Sequence, residues 1–305
     1  MEKTCPEHGY FRDKVNSNAR LHALLSQRCF QDETGLENPQ VRGGAACPTD
    51  CGLCNQHHST PCLSQIDLSN RCNLTCPVCF ASANQAGYLS EPTYEMVVEM
   101  LTAIRERRPV PVTAIQFTGG EPTMHPDFFR IVRKANEMGF THVQIASNGI
   151  LMSEPEFAKK AAEAGLHTVY LQFDGTTNEA NSHRHITNLF DVKKIAIDNL
   201  AAAGVRITPV VTVVNGVNNH MVGPIFDFCL ENHDKMGGPA FQPVSFTGRD
   251  EEISDEDRLR QRYTTSHLAH DLAKYYDGKI DPYRDWYPLG ASTAFASLAD
   301  HLKGP

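Results

Sequence analysis

From residue 63 to residue 246 the chain alternates short apolar stretches with amphipathic segments, and few architectures accept that order. Stretches of strand character fall at 63–69 (LSQIDLS), 112–118 (VTAIQFT), 141–147 (THVQIAS), 168–174 (TVYLQFD), 206–214 (RITPVVTVV) and 239–246 (PAFQPVSF). Helical periodicity falls between them, at 93–108, 127–138, 154–164, 188–203 and 221–233. Gly139, Gly165 and Gly204 follow three of these helices, where a left-handed C-cap is expected. Strand and helix in strict turn imply a parallel sheet with right-handed crossovers. Six such units are two short of a closed eightfold barrel, so the expected fold is α/β, a partial (β/α)6 barrel splayed open on one side.

The strands carry a second pattern. One face of a barrel strand meets the helices and the other the lumen. Ile115 and Phe117, Val143 and Ile145, and Val169, Leu171 and Phe173 make up an apolar face. Their neighbours are Gln116 and Thr118, Gln144, Gln172 and Asp174, with Gln242 in the sixth strand. A barrel packed only for stability fills its interior with Val, Ile and Leu. Amides and a carboxylate pointing inward need partners, from one another or from a polar ligand held in the lumen, and the ligand is the preferred reading.

Three regions follow: a cysteine-rich segment over 1–62 with little periodicity, the barrel over 63–248, and a helical extension over 249–305. In the extension, Ser254 with Asp257 reads as a helix cap, and one solvated helix is expected over 255–277. The net charge of −8 and the lack of any basic block longer than RERR at 105–108 argue against a nucleic-acid partner. No run of eighteen apolar residues and no charged-then-apolar leader follows Met1, which reads as cytoplasmic.

Nine of the ten cysteines precede residue 80, in groups too closely spaced for a disulfide ladder. In a reducing compartment such groups bind metal. The tenth, Cys229, sits within a helical pattern as a small core residue. Cys72, Cys76 and Cys79 are spaced C-x3-C-x2-C directly after the first strand. A zinc ribbon offers two C-x2-C halves, a ferredoxin site a fourth cysteine, and a redox dithiol needs only two. Three thiolates at a strand mouth suit a [4Fe–4S] cluster with one iron left open to chelate a small molecule. TGGEP at 118–122 follows the second strand. Its paired glycines let bare backbone approach a ligand, and Glu121 adds a negative charge. An amino acid chelating the open iron would lie between these two loops.

The cysteine triplet, TGGEP, SNG at 147–149 and QFDG at 172–175 occur in that order, each at a strand mouth, and the chain over 63–248 resembles the radical S-adenosylmethionine superfamily. The resemblance implies a [4Fe–4S] cluster held by Cys72, Cys76 and Cys79, and S-adenosylmethionine as cofactor. It implies Gly119, Gly120 and Glu121 at the methionine amine, with Ser147, Asn148, Gln172 and Asp174 toward the carboxylate or the ribose. Relatives carry an aromatic before the last cluster cysteine, where this chain has Val78, with Phe80 following. The implied chemistry is reductive cleavage of the cofactor to a 5′-deoxyadenosyl radical, which takes hydrogen from an unactivated carbon. A reducing electron donor such as ferredoxin or flavodoxin is implied with it.

CPTDCGLC repeats the spacing at Cys47, Cys51 and Cys54, followed by His57, His58 and Cys62, and reads as an auxiliary [4Fe–4S] cluster, with a Cys3His zinc site as the alternative. CPEHG, with Cys5 and His8, looks like half of a metal knuckle. The ordered set CPEHG, ENP, CPTDCGLC, IDLSNRCNLTCPVCFA, QFTGGEPT, QIASNGI, VYLQFDG, GVN and QPVSFTGR is more specific. It resembles the group containing archaeal tetraether synthase and the related enzyme that methylates a pterin precursor of methanopterin. Relatives of that type carry further cysteines before CPEHG and beyond the tail, so the chain is expected to be either a partial one or a shortened branch, one that cleaves the cofactor without efficient product formation. The expected activity is C–H activation for C–C bond formation on a lipid-like substrate, which would bring peripheral membrane contact. The alternatives are methylation of a pterin, and a non-catalytic iron–sulfur carrier or zinc-stabilised module.

Overall fold

In a computed structural model, residues 1–28, 39–41, 54–57, 61–77, 79–108, 110–249 and 253–292 are described. The first elements are a hairpin of β1 (Glu2–Cys5) and β2 (Gly9–Arg12) and a helix α1 (Ala19–Gln27). No periodicity announces the hairpin, because apart from the half-buried Cys5 it is exposed and has no face to pattern. Helix α1 buries Leu21, and Asn18 caps it by accepting from the Leu21 N–H at 2.9 Å.

Six parallel strands then form one sheet in sequence order: β3 (Ser64–Ser69), β4 (Ala114–Gly119), β5 (His142–Ser147), β6 (Thr168–Gln172), β7 (Arg206–Val213) and β8 (Ala240–Pro243). Strands β3 and β8 are its two edges and do not pair, so the barrel is partial, as expected. Between the strands run α2 (Tyr94–Arg105), α3 (Phe128–Glu137), α4 (Pro155–Glu163), the single turn α5 (Asn178–Asn181), α6 (Leu189–Ala202) and α7 (Val222–Glu231). Each long helix presents one apolar stripe. In α3 the buried residues are Phe128, Ile131, Val132 and Ala135, the i, i+3, i+4, i+7 pattern. They pack in one core with the outward strand faces, Ile115, Phe117, Val143, Ile145, Val169 and Leu171. Burying each large apolar side chain there contributes about 1.5–3 kcal/mol.

The extension departs from the expected single helix. It is broken into α8 (Asp255–Gln261) and α9 (Thr265–Tyr275). Ser254 caps the first as read, but Tyr263 is buried and donates its hydroxyl to Asp271 at 2.7 Å, which takes the backbone out of the helix. Thr264 then restarts it with a capping box closed by His267. The two flanks of the barrel meet each other. Arg28 donates to the carbonyls of Trp286 and Tyr283 at 2.7 and 2.6 Å, Asn18 to the Tyr283 hydroxyl at 2.9 Å, and Arg262 pairs with Asp13.

The polar lumen divides into two. In its lower half Gln144 donates to Gln116 at 2.5 Å and bonds His142 at 2.8 Å, so these side chains are partners of one another. His142 and Gln144 border a cavity of about 470 Å³ that opens at the amino-terminal ends of β5, β6 and β7. Gln242, on the edge strand β8, is exposed rather than enclosed, because no further strand closes the barrel beside it. The upper half, at the carboxyl ends of the strands, is organised differently.

Candidate functional site

The loop after β4 and the loop after β3 interlock. The Gly120 N–H donates to Ser69 O at 2.7 Å and the Glu121 N–H to Arg71 O at 2.9 Å. Gly119 has φ +115°, and a Cβ on Gly120 would lie 2.2 Å from Arg71 O. The paired glycines thus let the GGEP backbone lie directly against the start of the cysteine loop. A cavity of about 110 Å³ remains between the two, lined by Asp67, Ser69, Asn70, Ala81, Ser90, Gly119 and Gly120.

Glu121 turns into the protein. One carboxylate oxygen accepts from Thr123 Oγ1 at 2.5 Å and Ser147 Oγ at 2.8 Å, and the other from the Asn148 N–H at 2.8 Å. All of these donors are neutral. Burial is therefore the largest influence on Glu121 and raises its pKa above the ordinary carboxylate value, against the lowering effect of the hydrogen bonds. Asn148 continues the chain of contacts: its side-chain amide donates to Asn73 in the cysteine loop at 2.6 Å.

Asp174, beyond β6, is also fully buried, but its surroundings are charged. Oδ2 accepts from Arg184 Nη2 at 2.7 Å and Nε at 2.8 Å and lies 2.9 Å from His183 Nε2, while Oδ1 accepts from the Thr212 N–H at 3.2 Å. Burial alone would raise its pKa, yet the Arg184 guanidinium and His183 hold it well below the usual carboxylate range. Cys76 also interacts electrostatically with Arg184, so the β6 loop and the cysteine loop are neighbours.

Lys193 is a further buried cation that the strand motifs do not announce. From α6 its ammonium donates to Asn148 O at 2.9 Å, to Gln172 Oε1 at 2.8 Å and to the Gln172 carbonyl. Burial is the main cause that brings its pKa down to about 7. An ammonium only donates, so it fixes the Gln172 amide with Oε1 inward and leaves Nε2 as a buried donor without a partner. The signal was present in the sequence: Lys193 falls on the stripe of Leu189, Ala196, Ile197 and Leu200, where α6 is otherwise apolar.

The donor set of the cysteine loop is chemically suited to a cluster. Cys72, Cys76 and Cys79 are free and half-buried on one short loop. Burial, with Glu121 and the other two cysteines adding to it, pushes the Cys72 thiol up to about 11, so a metal would have to displace its proton. Among the described residues no three His, Cys, Asp or Glu side chains are gathered as a ready metal site. Val78 lies outside the described residues, and Phe80 is 79% exposed. Of the amino-terminal triplet, Cys47 and Cys51 lie outside the described residues, as do Cys29 and His58. Cys54 is buried and bridges Val41, and Cys62 is exposed. In the CPEHG turn, Cys5 Sγ lies 3.3 Å from His8 Nδ1.

The Radical SAM superfamily family model matches residues 66–229, which span β3 to α7 and hold every mouth described above. The chain is 40% identical over 303 residues to a 7,8-dihydro-6-hydroxymethylpterin dimethyltransferase of Methanocaldococcus jannaschii, covering 99% of this chain and 58% of that protein. It is 29% identical over 180 residues to a probable GTP 3′,8-cyclase of Methanothermobacter thermautotrophicus, covering 57% of this chain and 56% of that one. The chain thus spans somewhat over half the length of these curated relatives. Among solved structures it is similar in fold to SuiB of Streptococcus suis bound to S-adenosylmethionine, with a TM-score of 0.53 at 20% identity, covering 72% of this chain and 48% of that one. By its matched motifs, its six parallel strands and the loops at their mouths, the chain belongs to the Radical SAM superfamily.

Proposed function

We propose that this chain is the radical-generating portion of an enzyme that methylates a pterin-like substrate. The observation that carries this reading is the 40% identity, over nearly the whole chain, to a pterin dimethyltransferase. It takes precedence over C–C bond formation on a lipid-like substrate, and the peripheral membrane contact that went with a lipid is not proposed. Among the described residues no helix is long and apolar enough to cross a membrane.

The family brings a [4Fe–4S] cluster, S-adenosylmethionine, a small-molecule substrate and a reductant. When bound, the cluster and cofactor supply a 5′-deoxyadenosyl radical. Cys72, Cys76 and Cys79 would hold the cluster. Glu121, a buried carboxylate with only neutral partners, has the charge to accept the methionine ammonium. Ser147 and Asn148 orient Glu121, and Gln172 presents its free N–H to an acceptor of the cofactor. Asp174, already paired with the Arg184 guanidinium, acts on the site by fixing Arg184 beside the cysteine loop rather than by binding the cofactor directly. Cys47, Cys51 and Cys54 are proposed to hold an auxiliary [4Fe–4S] cluster or a zinc ion, and a ferredoxin or flavodoxin to supply electrons.

The test is anaerobic incubation of the reconstituted chain with S-adenosylmethionine, a one-electron reductant and 6-hydroxymethyl-7,8-dihydropterin, with mass analysis of the pterin. Release of 5′-deoxyadenosine stimulated by the pterin is the expected result, and any methyl gained by the pterin would come from a second molecule of S-adenosylmethionine, leaving S-adenosylhomocysteine. Turnover of a lipid-like precursor with the pterin untouched would overturn the substrate reading. A cluster signal that still responds to S-adenosylmethionine after Cys72, Cys76 and Cys79 are all replaced by Ala would overturn the ligand assignment.

A further inference from the structure

The FTGR segment at 246–249 follows the last strand and contributes nothing to the sheet, yet it returns to the loop that carries the cluster cysteines. Cys79 and Arg249 form an antiparallel bridge, in which the Arg249 N–H donates to Cys79 O at 2.8 Å and the Cys79 N–H to Arg249 O at 3.3 Å. Gly248 makes the approach feasible. Its φ is +78°, and a Cβ there would lie 2.3 Å from Cys79 O and 2.5 Å from Phe80 O. The guanidinium of Arg249 then spans the loop, with Nη1 donating to Cys76 O at 2.9 Å and Nη2 to Ala83 O. Its Nε is buried and has no partner.

A guanidinium has five donors, no acceptor and a charge that is never lost, so placing one against backbone carbonyls costs solvation and must be repaid by those contacts. Two of its nitrogens tie together Cys76 and Ala83, either side of Cys79. The third keeps one N–H free in a loop whose expected guest is rich in sulfide and thiolate acceptors. A cubane held by three thiolates carries net negative charge, which grows when a one-electron reductant adds an electron. A nearby fixed cation and N–H donors to sulfur favour that more negative state.

We propose that Arg249 is a positioning residue for the cluster: its guanidinium locks the 76–83 loop closed, and its charge and free Nε–H stabilise the reduced cluster. The inference rests on the assignment of the cluster to Cys72, Cys76 and Cys79, so the wild-type chain must first show a [4Fe–4S] signal that responds to S-adenosylmethionine. Without that signal it is the cluster assignment that fails.

Given the signal, Arg249→Met, Arg249→Lys and Gly248→Ala are compared in two assays on the anaerobically reconstituted full chain. These are the rate of iron loss to a chelator and the midpoint potential of the responsive cluster. Arg249→Met is expected to lose iron on the order of tenfold faster, the size of one charge-assisted hydrogen bond, and to shift the potential to a more negative value. Arg249→Lys keeps the charge but not the fork, so it should lose iron faster with a potential near that of the wild type. Gly248→Ala opens the loop and should lose iron faster too. Far-ultraviolet circular dichroism establishes that each variant is folded. A folded Arg249→Met protein with wild-type iron retention and wild-type potential overturns the proposal. If that variant does not fold, unchanged iron retention in Arg249→Lys overturns it instead.

Discussion

Two carboxylates sit at strand mouths with one strand between them, Glu121 after β4 and Asp174 after β6, and both are buried, at 1% and 0% exposure. Their pKa values move in opposite directions. Asp174 has its cation within the protein, and the Arg184 guanidinium keeps it ionised far into acid. Glu121 has hydroxyl and amide donors only, so burial prevails and its ionised form is disfavoured. One mouth holds its carboxylate directly against a guanidinium, whereas at the other no cation touches the carboxylate and Lys193 acts on Glu121 only through space. On the proposed function a cofactor ammonium would give Glu121 a direct cationic partner, which Asp174 already has in Arg184. On that reading the pair would divide the work, with Asp174 fixing the loops and Glu121 facing the ligand.

The largest expected effect tests the completed mouth. Asp174→Ala leaves Arg184 buried without its counter-charge and should destabilise the fold by about 3–5 kcal/mol, measured by chemical denaturation. Removing both partners, as Asp174→Leu with Arg184→Met, should cost less than the single change. The sign with pH is set by the lowered pKa. The stabilisation by Asp174 is present above the unfolded value near 3.9 and lost only as pH falls through the folded value in strong acid. Equal stability of Asp174→Ala and the parent chain would remove the contrast.

Glu121→Gln tests the other mouth and should behave in reverse. It removes an uncompensated buried charge, so stability should stay within about 1 kcal/mol of the parent, while affinity for S-adenosylmethionine should fall by about 1.5–3 kcal/mol, read by anaerobic calorimetry. Because the ligand needs the ionised carboxylate, affinity in the parent chain should rise as pH climbs through the raised pKa of Glu121 and then level off. The Gln variant should show no such rise from this group.

A smaller change is expected at Gln172. Gln172→Met removes the unpartnered N–H held in place by Lys193 and should weaken cofactor binding by about 0.5–1.5 kcal/mol in the same calorimetry. The least effect belongs to the far end of the lumen. Gln144→Met breaks the bond to Gln116, well away from the mouths, and should leave cofactor affinity within about 0.5 kcal/mol of the parent. A loss there as large as at Gln172 would mean that the ligand reaches through the lower lumen as well.

Much of this site was legible in the sequence, and where it was not the cause is specific. Glu121, Ser147, Asn148, Gln172 and Asp174 stand out as polar residues at the ends of apolar strands, and all five come to one end of the barrel. Gln116 and Gln144 point inward as their period implies, but the sequence does not show that they bond each other, because inward direction is periodic along a strand while partnership depends on register. Gln116 and Gln144 are paired residues of β4 and β5, so their amides meet. Lys193 was visible as a charge on an apolar stripe, but nothing in α6 says that its ammonium ends on Gln172 and Asn148.

The alternation of periods two and 3.6 determined the six units, their parallel order and the end at which the chemistry-bearing loops gather, because such patterns are local and each strand repeats them. Tertiary structure alone decided which charges meet. Arg184 reaches Asp174 through the turn after α5, Arg249 comes back to Cys76 from 173 residues away, and Tyr263 breaks a helix to reach Asp271. An ion pair or a returning strand end leaves no periodic trace in the chain. Its partners are chosen by where the loops are carried by the core, and that depends on all six strands at once.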